Sequence, residues 1–225
     1  MPKSCCSTSG FDREFDEATA RAELRALHRK GPGRSSQAIV DALAGVSGGP
    51  QGRTVLDIGG GVGTVHFGLL ERGAAGAIDV DASQAYIATA RSEAERRGLG
   101  DRVSHRYGDF VTLAGEVEAA DLVALDRVVC CYGDVDALVG LAAARTRRRL
   151  AITIPPDTWV FRLAGTILNA WYRLTRNAYR AYVHPHERVI AAARAAGLEP
   201  AGPITAVGWW RLLVFERPIL TADSP

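Results

Sequence analysis

No stretch of this 225-residue chain is long and apolar enough to cross a bilayer as a helix. The longest run free of Asp, Glu, Lys and Arg is Ile58–Leu70, 13 residues and rich in glycine, where a spanning helix needs ~20 apolar residues. The opening MPKSCCSTSG has no apolar segment of the kind a secretory leader carries, so the expected location is cytoplasmic. A dominant charge is also missing. The net charge is only +2, which argues against a nucleic-acid partner. Lysine is nearly absent: of 27 basic residues only Lys3 and Lys30 are not Arg. The four cysteines form two adjacent pairs, Cys5-Cys6 and Cys130-Cys131. Neither has the C-x-x-C spacing by which two thiolates share a zinc ion, so no metal is expected and reduced thiols are.

What is present is ordinary globular composition, 47% hydrophobic and 23% charged, at a length that suits one elaborated domain. Helical patterns over Asp16–Lys30 and Ser36–Ala44 precede a Gly48-Gly49-Pro50 break. From Thr54 short β-branched runs alternate with helical ones. Strands are expected at Thr54–Ile58, Ala75–Val80, Arg102–Tyr107, Asp121–Leu125 and Arg149–Ile154. Such alternation predicts a parallel sheet with helices on both faces. The rhythm then breaks: helices over Thr158–Arg176 and Pro185–Ala196 lead to two β-rich runs, Ala201–Val207 and Trp209–Glu216, which can pair antiparallel.

The chemistry begins at Asp57-Ile58-Gly59-Gly60-Gly61-Val62-Gly63, where the first strand turns into a helix. Ligands bind at the carboxyl ends of strands in such sheets, and glycines there let the backbone approach closely. The spacing is D-x-G-x-G-x-G; the G-x-G-x-x-G of a dinucleotide site and the G-K-[ST] of a phosphate loop are both missing. A carboxylate two residues before the first glycine suits a ligand with an amine, such as S-adenosylmethionine. Asp81 and Ala82, beyond the second strand, are placed for ribose hydroxyls, with Asp79 a rival one register step earlier. Gly108, Asp109 and Phe110 follow the third strand and suit adenine, and Asp126, just past the fourth, is assigned to the same ligand.

These motifs, VLDIGGGVG, DVDAS and YGDF over roughly Thr54–Ile154, resemble the class I S-adenosylmethionine-dependent methyltransferases. The resemblance implies a Rossmann-like, doubly wound α/β fold with a seven-stranded, mostly parallel sheet. Residues 1–50 would be a helical lid, 51–156 the cofactor-binding core, 157–184 a helical cap, and 185–225 a last helix with edge strands. Gly10-Phe11-Asp12-Arg13, the Arg-rich insertion and Arg180-Ala181-Tyr182-Val183-His184 resemble magnesium-protoporphyrin O-methyltransferases more narrowly. Where those enzymes tend to carry a His near Tyr132, this chain has Cys130 and Cys131. The implied activity is methyl transfer to a carboxylate or hydroxyl oxygen of a small, hydrophobic, anionic molecule. The alternatives are N- or C-methylation, or a cyclising or merely cofactor-binding use of the fold.

Residues 145–180 hold eight Arg and one acid, Asp157, and Arg binds carboxylates bidentately. Arg176 and Arg180, with Cys131 and Tyr132, are therefore assigned to the acceptor, and His184 and Tyr182 to catalysis. His66 and His105 fall inside a helix and a strand and are taken as structural. Three readings of Thr158–Arg176 stay open: a cap whose aromatic side covers the acceptor, a peripheral membrane contact, or a dimer contact.

Overall fold

The computed structural model describes residues 8–218. Three helices come first: α1 (Thr8–Glu14), α2 (Glu17–Lys30) and α3 (Arg34–Ala44). Asp16 caps α2 by accepting from the Thr19 amide, satisfying one of the donors a helix start leaves open. The alternating core follows as β1 (Thr54–Ile58), α4 (Thr64–Glu71), β2 (Gly76–Asp81), α5 (Gln84–Arg96), β3 (Val103–Tyr107), α6 (Phe110–Leu113), β4 (Ala120–Asp126), α7 (Val135–Ala144) and β5 (Thr146–Ile154). Then come α8 (Trp159–Leu174), α9 (His186–Ala195), β6 (Glu199–Pro200), β7 (Thr205–Val207) and β8 (Trp210–Glu216).

One sheet takes the order β3-β2-β1-β4-β5-β8-β6, with β7 paired to β8 off this path. The first five strands run parallel; β8 runs antiparallel to β5, with Ile154 opposite Arg211. The count is eight strands rather than the expected seven, because the two-residue β6 adds a bridge to β8. The run expected over Ala201–Val207 pairs only at Thr205–Val207.

Apolar residues fill both faces of the sheet. Val123, Leu125, Leu138, Ile152 and Phe215 belong to one buried cluster, and Ile39, Leu43, Val55, Phe67 and Leu122 to the other. Helix α3, grouped by sequence with the lid, therefore sits in the sheet's own layer. Helices α1 and α2 lie over the carboxyl ends of the strands, where Phe15 and Leu24 pack with Val62 and Tyr86, and Ser36 near the start of α3 reaches Asp126 there.

Helix α8 turns the expected cap inside out. Its protein-facing stripe is Phe161, Gly165, Asn169 and Tyr172, all half-buried, and Asn169 bonds the backbone of Ala181 on both sides. Its apolar stripe faces away. Seven of the ten large exposed hydrophobic residues among those described lie on this helix, including Leu163, Ile167, Trp171 and Leu174.

Candidate active site

The order β3-β2-β1-β4-β5 reverses direction between β1 and β4, and a cavity of ≈ 320 Å³ opens there at the strands' carboxyl ends. Its wall on the sheet side is made of Asp57, Gly59, Gly60, Gly61, Asp81, Ala82, Gly108, Asp109, Phe110 and Asp126.

The four glycines of the loop serve different ends. A Cβ on Gly59 would strike Val128, one on Gly60 would lie 2.3 Å from an Asp79 oxygen, and one on Gly63 would lie 2.2 Å from the Phe67 ring. Gly63 is the left-handed cap of α4 and does not line the cavity, a correction to its assignment as a ligand contact. Gly61 alone has room: a Cβ there comes no nearer than 3.7 Å to Tyr86, the only side chain it would meet. It would stand in the cavity itself.

Beneath the loop lie two buried carboxylate–imidazole pairs. Asp57 accepts from the His66 backbone amide and pairs with His66 Nδ1 at 2.9 Å, and Asp79 pairs with His105 Nδ1 at 2.9 Å. Burial pushes the Asp57 carboxyl above its ordinary value. The same burial pulls against the His66 cation, but the Asp57 bond and the Asp79 charge outweigh it and raise the His66 pKa. Asp79 is turned to His105 and lies outside the cavity lining, so Asp81 is the carboxylate presented to a ligand. Asp81 accepts from the amides of Gly61 and Ser83. Burial first, and the Asp79 charge second, push its pKa up to about 7. Asp109 caps α6 through Val111 and accepts from Tyr132 Oη at 3.0 Å. Asp126 accepts from Ser36 and Thr153, each at 2.6 Å.

The opposite wall comes from elsewhere: Phe11, Phe15 and Glu23 from the N-terminal helices, Arg127, Cys130, Cys131 and Tyr132 after β4, Tyr179 from the segment after α8, and Trp210. Tyr179 meets Phe11, Phe15 and Tyr172 edge-on. Glu14 fastens this roof, accepting from Tyr172 Oη at 2.9 Å and Asn177 Nδ2 at 3.0 Å.

Several assigned residues are not brought here. His184 bonds the Tyr132 carbonyl through Nε2 at 2.8 Å and stacks on Tyr182; neither lines the cavity. Burial lowers the His184 pKa. Arg180 turns back onto the carbonyls of Asn177 and Tyr179, and Arg176, in a left-handed backbone conformation, stays exposed. The cavity's cation is Arg127, which the sequence reading passed over. It pairs with Glu23 at 3.0 Å, and its φ of 61° sets the turn that carries it there. Its position directly after Asp126, at a strand's carboxyl end, was the available signal.

Residues 55–148 match the family described as Methyltransferase domain. This segment is similar to a methyltransferase domain. The domain's topology recurs in solved structures. A magnesium protoporphyrin IX methyltransferase from Synechocystis PCC 6803 with bound S-adenosylhomocysteine superposes with TM-score 0.70 at 21% identity, over 92% of this chain and 98% of that one. An O-methyltransferase family protein from Burkholderia thailandensis gives 0.67 at 23% identity, over 91% and 61%. In sequence, 77 residues are 36% identical to the ribosomal protein L11 methyltransferase of Erwinia tasmaniensis, covering 32% of this chain and 26% of that protein. The chain thus matches about a quarter of that curated relative's length. A second structure of that Synechocystis protein, at TM-score 0.68 and 19% identity over 95% of this chain and 98% of that one, holds bound S-adenosylmethionine. The pocket fits it: Gly61 leaves open space where a side chain would stand, and a second oxygen of Asp57, buried against the cavity, has no protein partner.

Proposed function

We propose that the protein transfers a methyl group from S-adenosylmethionine to a carboxylate oxygen of a small, flat, hydrophobic molecule. The observation that carries this reading is the contrast between the two walls of one cavity. Glycine backbone and the carboxylates of Asp57, Asp81, Asp109 and Asp126 dominate one side; the rings of Phe11, Phe15, Tyr179 and Trp210 dominate the other, with the Arg127 guanidinium paired to Glu23 among them. The cofactor supplies a sulfonium-bound methyl open to in-line displacement.

Everything else falls to the chain. Asp81 accepts from ribose hydroxyls, Asp109 from the adenine amine, and Asp57 from the α-amine. Phe11, Phe15, Tyr179 and Trp210 hold the acceptor's flat body and keep water out. Arg127 orients its anionic end, the role first given to Arg176 and Arg180. No histidine lines the cavity, which favours an acceptor already ionised near neutral pH, a carboxylate of ordinary pKa ≈ 4, over a phenol near 10.

Incubation with methyl-labelled S-adenosylmethionine and paired aromatic acids and phenols tests this. Label is expected in base-labile esters of the acids. Arg127→Ala should raise KM at least about tenfold, as expected when a charge-assisted contact is removed, with kcat less affected. Tight S-adenosylhomocysteine binding with no transfer to any acceptor would favour the non-methylating use of the fold instead.

A further inference from the structure

The Cys130-Cys131 pair has no part in the methyl transfer proposed above, yet it is built into the cavity at the joint between core and roof. The two residues close a single 3₁₀ turn, Val129–Cys131. Their sulfurs lie 3.7 Å apart, both line the cavity, and both point at the Arg127 carbonyl. Two bonds run from this turn to the segment 177–184 that roofs the cavity. Cys131 Sγ meets Tyr179 Oη at 2.9 Å, and the Cys130 carbonyl accepts from the Tyr182 amide at 2.7 Å. That carbonyl belongs to the peptide joining the two cysteines. We propose that Cys130 and Cys131 are a reversible oxidation site, and that closing them into a vicinal disulfide loosens the 177–184 segment at Tyr179 and Tyr182.

The chemistry needs only a peroxide small enough to enter the cavity. Cys131 is the attacking sulfur. The neighbouring Cys130 thiol first, and the Tyr179 hydroxyl after it, donate to its sulfur and hold its pKa below the ordinary thiol value, while Cys130 is held above it. The Cys131 thiolate takes one peroxide oxygen, the O–O bond breaks, and hydroxide leaves as water after protonation. The Cys130 sulfur then attacks the sulfenic sulfur. The S–O bond breaks, and the thiol proton departs with the hydroxide as a second water. Two thiols lose two electrons and two protons, and one hydrogen peroxide becomes two waters.

An S–S bond requires the sulfurs to close from 3.7 Å to about 2.05 Å. The ring so formed contains the Cys130–Cys131 peptide, which cannot stay planar and trans at ordinary angles within it. Its carbonyl must swing. Both bonds to the roof are then lost together, one through the carbonyl and one through the sulfur. A ring strained in this way is also easily reduced, which makes the step reversible.

Treatment of the full-length protein with hydrogen peroxide, followed by cleavage at Arg127 and Arg145, tests the proposal. The peptide spanning residues 128–145 isolates this pair from Cys5 and Cys6. It is expected to lose about 2 Da, two hydrogens, and to regain them with a dithiol reductant. Amide exchange at Tyr182 should accelerate about tenfold or more in the oxidised protein, as expected when a protecting hydrogen bond is opened. Cys131→Ser keeps a hydroxyl beside Tyr179 but cannot close the ring, so its Tyr182 exchange should ignore peroxide. A peptide that gains oxygen in place of losing hydrogen overturns the proposal. So does a disulfide that leaves Tyr182 exchange unchanged, or a Cys131→Ser protein that accelerates like the wild type.

Discussion

A single methyl separates two roles inside the glycine loop. Gly61 and Gly63 both have positive φ, 58° and 88°, so Ala at either position bears the left-handed penalty of about 1–2 kcal/mol. Their surroundings differ. Gly63→Ala drives a Cβ into Phe67 beneath the loop and should lower the melting temperature well beyond Gly61→Ala. Gly61→Ala should keep a cooperative fold yet lose S-adenosylhomocysteine affinity by calorimetry, because its Cβ occupies ligand space. Equal affinity in that variant would remove the loop from the binding site.

Asp81 adds a pH dependence whose sign follows from its burial. With its pKa pushed up to about 7, the free protein holds a proton on this carboxyl below neutrality. Accepting bonds from two hydroxyls favours the ionised form. Binding therefore releases a proton, and affinity should rise from pH 6 to pH 8 and level off above. Calorimetry in buffers of differing ionisation enthalpy reads the released proton directly; Asp81→Asn should abolish both the release and the slope. His184, by contrast, should be kinetically quiet. Its Nε2 is committed to the Tyr132 carbonyl, and His184→Ala is expected to act on stability rather than on the pH profile of turnover.

Among the elements, α3 and α8 are opposites that look alike in sequence, since each has an apolar stripe at helical spacing. Leu43 of α3 is fully buried against the sheet, and Leu43→Ala should cost about 2–5 kcal/mol, the usual price of a core cavity. Ile167 of α8 is 63% exposed, and Ile167→Ser should stay within about 0.5 kcal/mol. Beside the outward stripe of α8 Arg173 and Arg176 stand exposed, while Arg162 pairs with Asp157 and Arg180 turns back onto the Asn177 and Tyr179 carbonyls. We propose that this face rests on an anionic lipid surface, with Trp159 and Trp171 toward its ends. Co-sedimentation with phosphatidylserine-containing vesicles should fall at least about tenfold in an Ile167→Ser, Trp171→Ser double variant. A dimer that dissociates in that variant, with no vesicle binding in the parent, would mean a second copy covers the face.

Helix α2 is moored differently. Glu93 on α5 takes Arg96, Arg97 and, across the gap, His28 of α2. These donors, Arg96 foremost, hold its carboxyl down at about 2. The stabilisation is complete above the ordinary carboxylate pKa and should disappear as pH falls from about 4.5 toward 2. Acid titration of Glu93→Gln should lack that step.

For the molecule as a whole, the readable part of the sequence was the part in which local and tertiary preferences agree. The alternating strand and helix patterns of the core and the glycine loop locate themselves within a residue or two, save β5, which starts at Thr146 rather than the expected Arg149. The acids at the ends of β1, β2 and β4 and just after β3 line one cavity because a parallel sheet puts every such end on one side. The roof was not readable. The segment that carries Arg180, Tyr182 and His184 is fixed by Asn169, through Ala181, and by Glu14, which holds Asn177 from 163 positions away. A helical period shows that α8 has two faces without showing which one meets protein.

The bonds from Glu14 to Tyr172 and Asn177 also bear on timing. One side chain near the start of the chain ties down a tyrosine and an asparagine more than 150 positions later, directly over the cavity. If a reacted molecule leaves past that clasp, departure rather than bond-making limits the steady state. Rapid mixing should then reveal a fast first round followed by a slower succession. Glu14→Ala, which unties both ends at once, should erase that difference by hastening every later round.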